Sequence, residues 1–280
     1  MVNSGNKHPH KFPFEVINNK VPHGKIRFAI FDFDGTISLI REGWQQVMIP
    51  MMVEILLDTP EHESITTLQE VVRTYVADTT GKQTIYQMIR LTEEIKKRGG
   101  LPAPPLFYKD QYHQRLMERI INRLEGLRNG SFLPGEMIVP GALEALTAIT
   151  DAGVKCFLAS GTDEKYVFDE ANLLGIMPFF SGVYGAQDDY KNYSKKMVIQ
   201  KIIEENHLSG PELIAFGDGY VEIENAKDVG GITIGLATNE SERAGIDLWK
   251  RDRLIASGAD VILADFLPFS ELWDFLMLED

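Results

Sequence analysis

The chain has 280 residues, 44% of them hydrophobic and 25% charged, with a formal net charge of −13 and a single cysteine. That charge excludes nucleic acid duplexes and anionic membranes as general partners. The lone cysteine excludes an internal disulfide, and no apolar run approaches the ~20 residues of a membrane span.

Length allows one large domain or two unequal ones. Residues 1–24 are polar, hold three of the six histidines together with Pro13 and Pro22, and read as an N-terminal extension. The pair His8 and His10 lacks further ligands and reads as part of a solvated tail. This start has no apolar core of the signal-peptide kind, which makes the cytoplasm the expected location.

The first strand is expected over about residues 25–33, in the run FAIFDFDGTISL. Helical stripes follow. Trp44, Val47, Met48, Met51, Met52, Ile55 and Leu56 recur at helical spacing, with Pro50 expected to kink or split them. Ile65, Leu68, Val72 and Val76 make a second stripe, Ile85, Met88, Thr92 and Ile95 a third, and Tyr112, Leu116, Ile120 and Leu124 a fourth after the PAPP segment. After Gly130 helix-like and strand-like pieces alternate, which predicts right-handed βαβ units and a parallel sheet. The strand-like pieces are apolar throughout, as when both faces are covered. Cys156 lies in one of them, VKCFLAS, and reads as an inert core thiol.

The fold class is therefore α/β: a parallel-sheet core over residues 25–39 and 134–280, interrupted after its first strand by an all-helical insert over 40–133. Ligands of such sheets bind at the carboxyl ends of the strands. Those ends carry Asp32 and Asp34, then Ser160-Gly161-Thr162, then Lys195 and Lys196, then Asp218 with Glu222 four residues on. Each feature alone is ordinary turn or capping chemistry. Their order, each at the exit of an expected buried strand, is a strong joint signal.

DFDGT (32–36), ASGT (159–162), SKK (194–196) and GDGYVE (217–222) together resemble the haloacid dehalogenase (HAD) superfamily of phosphohydrolases. The resemblance covers the Rossmann-like α/β part, and the insert resembles the helical C1-type cap of that superfamily. It implies Asp32 as nucleophile through an aspartyl-phosphate, Asp34 as general acid and base, and Ser160 and the Gly161 amide as phosphate binders. Lys195, preferred to Lys196 by the family's spacing, would supply the positive charge. It also implies Mg²⁺ held by Asp32, Asp34 through its backbone carbonyl, and Asp218. Glu222 stands where many members have Asp, and its extra methylene leaves direct or water-mediated ligation open.

Arg41, Glu42, Trp44 and Gln45 follow the first motif directly, and DTTGKQT (78–84) joins two stripes with a concentration of polar groups. Arg41, Lys82 and Gln83 are the candidates for choosing substrate, against an ordinary helix-capping loop. The expected enzyme is a Mg²⁺-dependent phosphatase of a small phosphorylated metabolite, a sugar phosphate among the candidates. A phosphomutase of the same superfamily and a non-catalytic phosphate-binding regulator stay open, as do the substrate and the oligomeric state.

Overall fold

The computed structural model describes residues 12–23, 25–189 and 194–277. In chain order the elements are β1 (Glu15–Val16), β2 (Phe28–Phe31), α1 (Gln45–Leu57), α2 (Ile65–Thr79), α3 (Thr84–Lys97), α4 (Pro105–Asn129) and α5 (Ala142–Asp151). Then come β3 (Lys155–Asp163), α6 (Glu164–Leu173), β4 (Phe180–Ala186), α7 (Lys195–Glu205), β5 (Leu213–Gly217), α8 (Tyr220–Asp228), β6 (Ile232–Leu236), α9 (Leu248–Ala256), β7 (Val261–Leu263) and α10 (Phe269–Met277).

The sheet order is β1-β7-β6-β5-β2-β3-β4. All pairings are parallel except β1 with β7. β2 lies at the centre, between β3 and β5, and every one of its residues is buried. Ala29 and Phe31 face the larger core cluster, with Phe216 stacked on Phe31 at a centroid distance of 4.6 Å. Phe28 and Ile30 face the opposite cluster, built with α7 and α8. A strand with apolar residues on both faces has no period of two, which is why β2 reads as a continuous apolar run.

The four helices α1–α4 lie in sequence between β2 and α5, so β2 ends in a loop that leads straight into the helical insert. α1 runs unbroken through Pro50, against the expected split. An interior proline costs about 3 kcal/mol. Met48, Met51, Met52 and Leu56 are all buried on this helix, and each such side chain stabilises by about 1.5–3 kcal/mol, so packing wins.

Residues 12–23 also differ from the expected extension. β1 adds an antiparallel edge strand to β7, and Phe12 and Phe14 pack with Phe275 of α10. Arg251 of α9 clamps the Glu15 carboxylate at 2.6–3.0 Å. His8 and His10 lie outside the described residues. Cys156 is buried and burial pushes its thiol up to about 12, as an inert core cysteine requires.

Candidate active site

β2 and β5 are adjacent, and the Asp32 amide still donates to the Phe216 carbonyl at 2.9 Å. The exits of the two strands therefore point the same way. Beyond Asp32 the chain turns sharply: Gly35 takes a φ of 74°, in the left-handed region that glycine alone enters cheaply. Its amide donates to the Ser38 carbonyl, and the Thr36 hydroxyl accepts from the Asp218 amide at 2.9 Å. The DFDGT loop is thus fastened to the β5 exit, and Asp32, Asp34 and Asp218 line one cavity of about 90 Å³.

Lys195 enters the same cavity from the first turn of α7, which Ser194 caps by accepting from the Met197 amide. Its ammonium is 2.7 Å from Asp32 Oδ1 and also touches Glu222 Oε1. Lys195 is buried, whereas the neighbouring Lys196 is exposed. Burial raises the Asp32 and Glu222 carboxyls above their ordinary values, and the Lys195 charge pulls both back. Burial likewise lowers Lys195, but Asp32 and Glu222 outweigh it and hold the ammonium above its ordinary pKa.

Asp34 Oδ2 accepts from Thr162 Oγ1 at 2.7 Å and from Ser160 Oγ at 3.4 Å. Asp34 Oδ1 has no hydrogen-bond partner among the described residues and faces Arg41 Nε at 3.8 Å. Ser160, Gly161 and Thr162 belong to the last residues of β3, which runs on to Asp163. Thr162 went unassigned in the sequence reading, although it stands in the same Ser-Gly-Thr motif.

The helical insert closes the other side. Arg41 is buried, clamped by Glu170 of α6 at 2.6–3.1 Å, and lies over the Tyr166 ring. Lys82 lines the cavity, with its ammonium 5.8 Å from the Tyr220 ring centroid. Gln83 is buried at the start of α3. The loop holding them sits on two core glycines. A Cβ at Gly161 would come within 2.8 Å of the Lys82 carbonyl oxygen, and one at Gly219 within 2.9 Å of Gly81 Cα.

On the far side of Asp218 stands a pair that sequence reasoning missed. Lys250 Nζ donates to Asp218 Oδ2 at 2.7 Å and to Glu240 Oε1 at 2.5 Å. Asp247 caps α9 by accepting from the Trp249 and Lys250 amides, which places Lys250 in the first turn. Glu240 lies in the loop after β6, so the strand-exit rule applied to β6 would have found it. Nothing in the spacing foretells Lys250.

The oxygen donors suit a hard divalent cation, and two of the carboxylates besides Asp32 also meet lysines. Glu222, named with the metal ligands but with direct or water-mediated ligation left open, turns its carboxylate onto Lys195. Asp218 gives one oxygen to Lys250. Among the described residues no group of three or more His, Cys, Asp or Glu side chains stands ready as a metal cage. The carboxylates of Asp32 and Asp218, at the exits of paired strands, remain donors of the right kind, and the orphaned Asp34 Oδ1 marks unfilled polar space beside them.

The family model of haloacid dehalogenase-like hydrolases matches residues 26–230. The chain belongs to that family. A phosphoglycolate phosphatase of Escherichia coli O157:H7 is 22% identical over 251 residues, covering 88% of this chain and 95% of the relative. The solved structure of a β-phosphoglucomutase from Clostridium difficile aligns with a TM-score of 0.58 at 14% identity, over 89% of this chain and 96% of its own. That of the CbbY protein of Rhodobacter sphaeroides, in complex with xylulose-1,5-bisphosphate, aligns with a TM-score of 0.54 at 17% identity, over 86% and 95%. These likenesses place the α/β core in the HAD fold. Among the described residues no helix is long and apolar enough to cross a membrane.

Proposed function

We propose that this HAD-family hydrolase cleaves phosphomonoesters of a small metabolite, with Asp32 as nucleophile and Asp34 as proton carrier. The observation that carries the reading is the pairing inside one cavity of a buried carboxylate with a buried ammonium, Asp32 and Lys195 at 2.7 Å, beside a second carboxylate that two hydroxyls hold in place.

An Asp32 oxygen attacks phosphorus, the ester P–O bond breaks, and the phosphoryl group passes to Asp32 as an acyl phosphate. Asp34 gives its proton to the departing alkoxide, then takes one from the water that hydrolyses the acyl phosphate. Thr162 and Ser160 orient Asp34 for both transfers. Lys195, with the Ser160 hydroxyl and the Gly161 amide, offsets the charge on the transferring oxygens. Asp32, Asp218 and the Asp34 carbonyl would hold Mg²⁺, which when bound draws phosphate and carboxylate together against their mutual repulsion. Glu222 keeps Lys195 charged and aimed.

The helical insert acts as a cap that shields the site from bulk solvent and reads the leaving group, opening to release the alcohol and admit the hydrolytic water. Arg41, held by Glu170, and the Lys82–Gln83 loop, seated on Gly161 and Gly219, are the candidate readers. The mutase reading is favoured by one thing, the likeness to a β-phosphoglucomutase. It requires Asp32 to return its phosphoryl group to a bound sugar phosphate before water arrives.

The test is phosphate release from a panel of phosphomonoesters, with Mg²⁺ or with EDTA, by the wild type and by Asp32→Asn. Metal-dependent release that Asp32→Asn abolishes supports the phosphatase. Isomerisation of a sugar phosphate without release, requiring a bisphosphate primer, makes it a mutase. Release that survives in Asp32→Asn removes Asp32 from the chemistry.

A further inference from the structure

We propose that Lys250 is a resident counter-ion, which neutralises Asp218 in the metal-free enzyme and withdraws onto Glu240 when a divalent cation arrives. The inference rests on the reading of Asp218 as a metal ligand.

One ammonium is shared between two carboxylates of unequal standing. Asp218 stands at the exit of β5 inside the catalytic cavity, and Glu240 lies in the loop after β6 behind it. Asp218, Glu240 and Lys250 are all largely shielded from solvent, with side-chain exposures of 11–17%. A carboxylate so placed is costly without a cation beside it. In this structure that cation is Lys250, 2.7 Å from Asp218 Oδ2.

A divalent cation at Asp218 and an ammonium on the same carboxylate would repel each other across a few ångströms in a medium of low polarity. Relief requires little motion, because Glu240 already accepts from Lys250. A cavity of about 210 Å³, lined by Asp218, Glu240, Asp247 and Lys250, gives the side chain room to move. The catalytic loop itself is shaped around this trio. A Cβ on Gly35 would strike Asp218 Oδ2 and come within 3.1 Å of Glu240 Oε1. Gly35 thus serves close approach to these acids as well as its turn.

The consequence is an enzyme whose metal site stays folded when empty and binds its cation less tightly than the bare carboxylates would. Removing the ammonium should tighten metal binding, and removing its alternative partner should weaken it. The two effects should be coupled, since Glu240 acts through Lys250.

The experiment measures Mn²⁺ affinity of metal-stripped protein from the EPR signal of the free ion, with Mg²⁺ as competitor. Lys250→Met should bind Mn²⁺ roughly tenfold tighter than the wild type, and Glu240→Gln several-fold weaker. Lys250→Arg, which keeps the charge, should stay close to the wild type. In the Lys250→Met background the Glu240→Gln change should lose most of its effect. Thermal melting adds a second readout: adding Mg²⁺ should raise the Tm of Lys250→Met by more than it raises that of the wild type.

Equal or weaker Mn²⁺ binding by folded Lys250→Met overturns the proposal. So does a Glu240→Gln effect that is undiminished without Lys250. Should Lys250→Met fail to fold, Glu240→Gln decides, and unchanged affinity there overturns the proposal as well. A wild type that binds no divalent cation removes the metal reading itself, a failure distinct from metal binding that ignores Lys250.

Discussion

Lys195 holds two buried carboxylates at once, and that makes it a structural residue as well as a candidate phosphate ligand. Breaking a buried ion pair by deleting one partner costs about 3–5 kcal/mol, because the remaining charge is stranded. Lys195→Met should therefore melt well below the wild type, besides losing activity. The sign of its pH dependence follows from the carboxyls. Asp32 and Glu222 already sit above their ordinary values by burial, and without Lys195 they rise further. A raised carboxyl keeps its proton in the folded state after the unfolded chain has lost it, so stability falls as pH rises through that window. The Tm deficit of Lys195→Met should be small near pH 4 and large at pH 8, measured by calorimetry at both. A deficit independent of pH would mean that Lys195 contributes only packing. Glu222→Gln in the same background should recover part of the loss at pH 8.

At the scale of elements, the cavity exists because a loop of the helical insert lands on two strand-exit glycines. Gly219 has φ −109° and ψ 171°, a conformation open to any residue. Alanine there suffers no backbone strain, and its one tight contact is with Gly81, whose Cα lies 2.9 Å from the added Cβ, while Glu222 Oε2 stands at an ordinary 3.8 Å. Gly219→Ala thus isolates the docking of the insert. It should leave the Tm within a few degrees of the wild type and lower kcat/KM at least tenfold, because a misplacement of about 1 Å can cost that much or more. Unchanged kinetics would show that the loop has no part in the reaction. Asp32, Asp34 and Asp218 were legible in the sequence because each follows an apolar run and the topological rule says where runs end, whereas Lys195, which opens α7 after the polar stretch beyond β4, was chosen on the spacing of the resembled family. The glycine contact was not legible, since it joins residues 138 positions apart through a helix packing that periodicity leaves undetermined. Lys250 was illegible for the same reason: its meeting with Asp218 depends on how the chain crosses from β6 into α9, and no local pattern encodes that crossing. The N-terminal residues misled because Pro13 and Pro22 hide the apolar spacing of Phe12 and Phe14, which only the α10 surface reveals.

The whole molecule sets the field against which the site must work. With 41 acids against 28 bases, the surface repels any phosphorylated substrate at long range. The site does not reverse this by its own side chains. Asp32, Asp34, Asp218, Glu222, Glu240 and Glu170 face four cations, Lys195, Lys250, Arg41 and Lys82. Much of the attraction for phosphate must come at short range, after the substrate has crossed a repulsive approach. Salt screens the approach far more than it screens buried contacts, since the Debye length falls from about 30 Å at 0.01 M to about 8 Å at 0.15 M. For a phosphomonoester dianion, kcat/KM should therefore rise several-fold over that range of NaCl, with Mg²⁺ held saturating. An ester whose leaving group carries a quaternary ammonium should respond less, because its net charge is smaller. A fall with added salt in both cases would mean that the mouth of the cavity is electropositive and draws substrate in. The insert, through Arg41 and Lys82, would then supply the steering that the sheet exits lack.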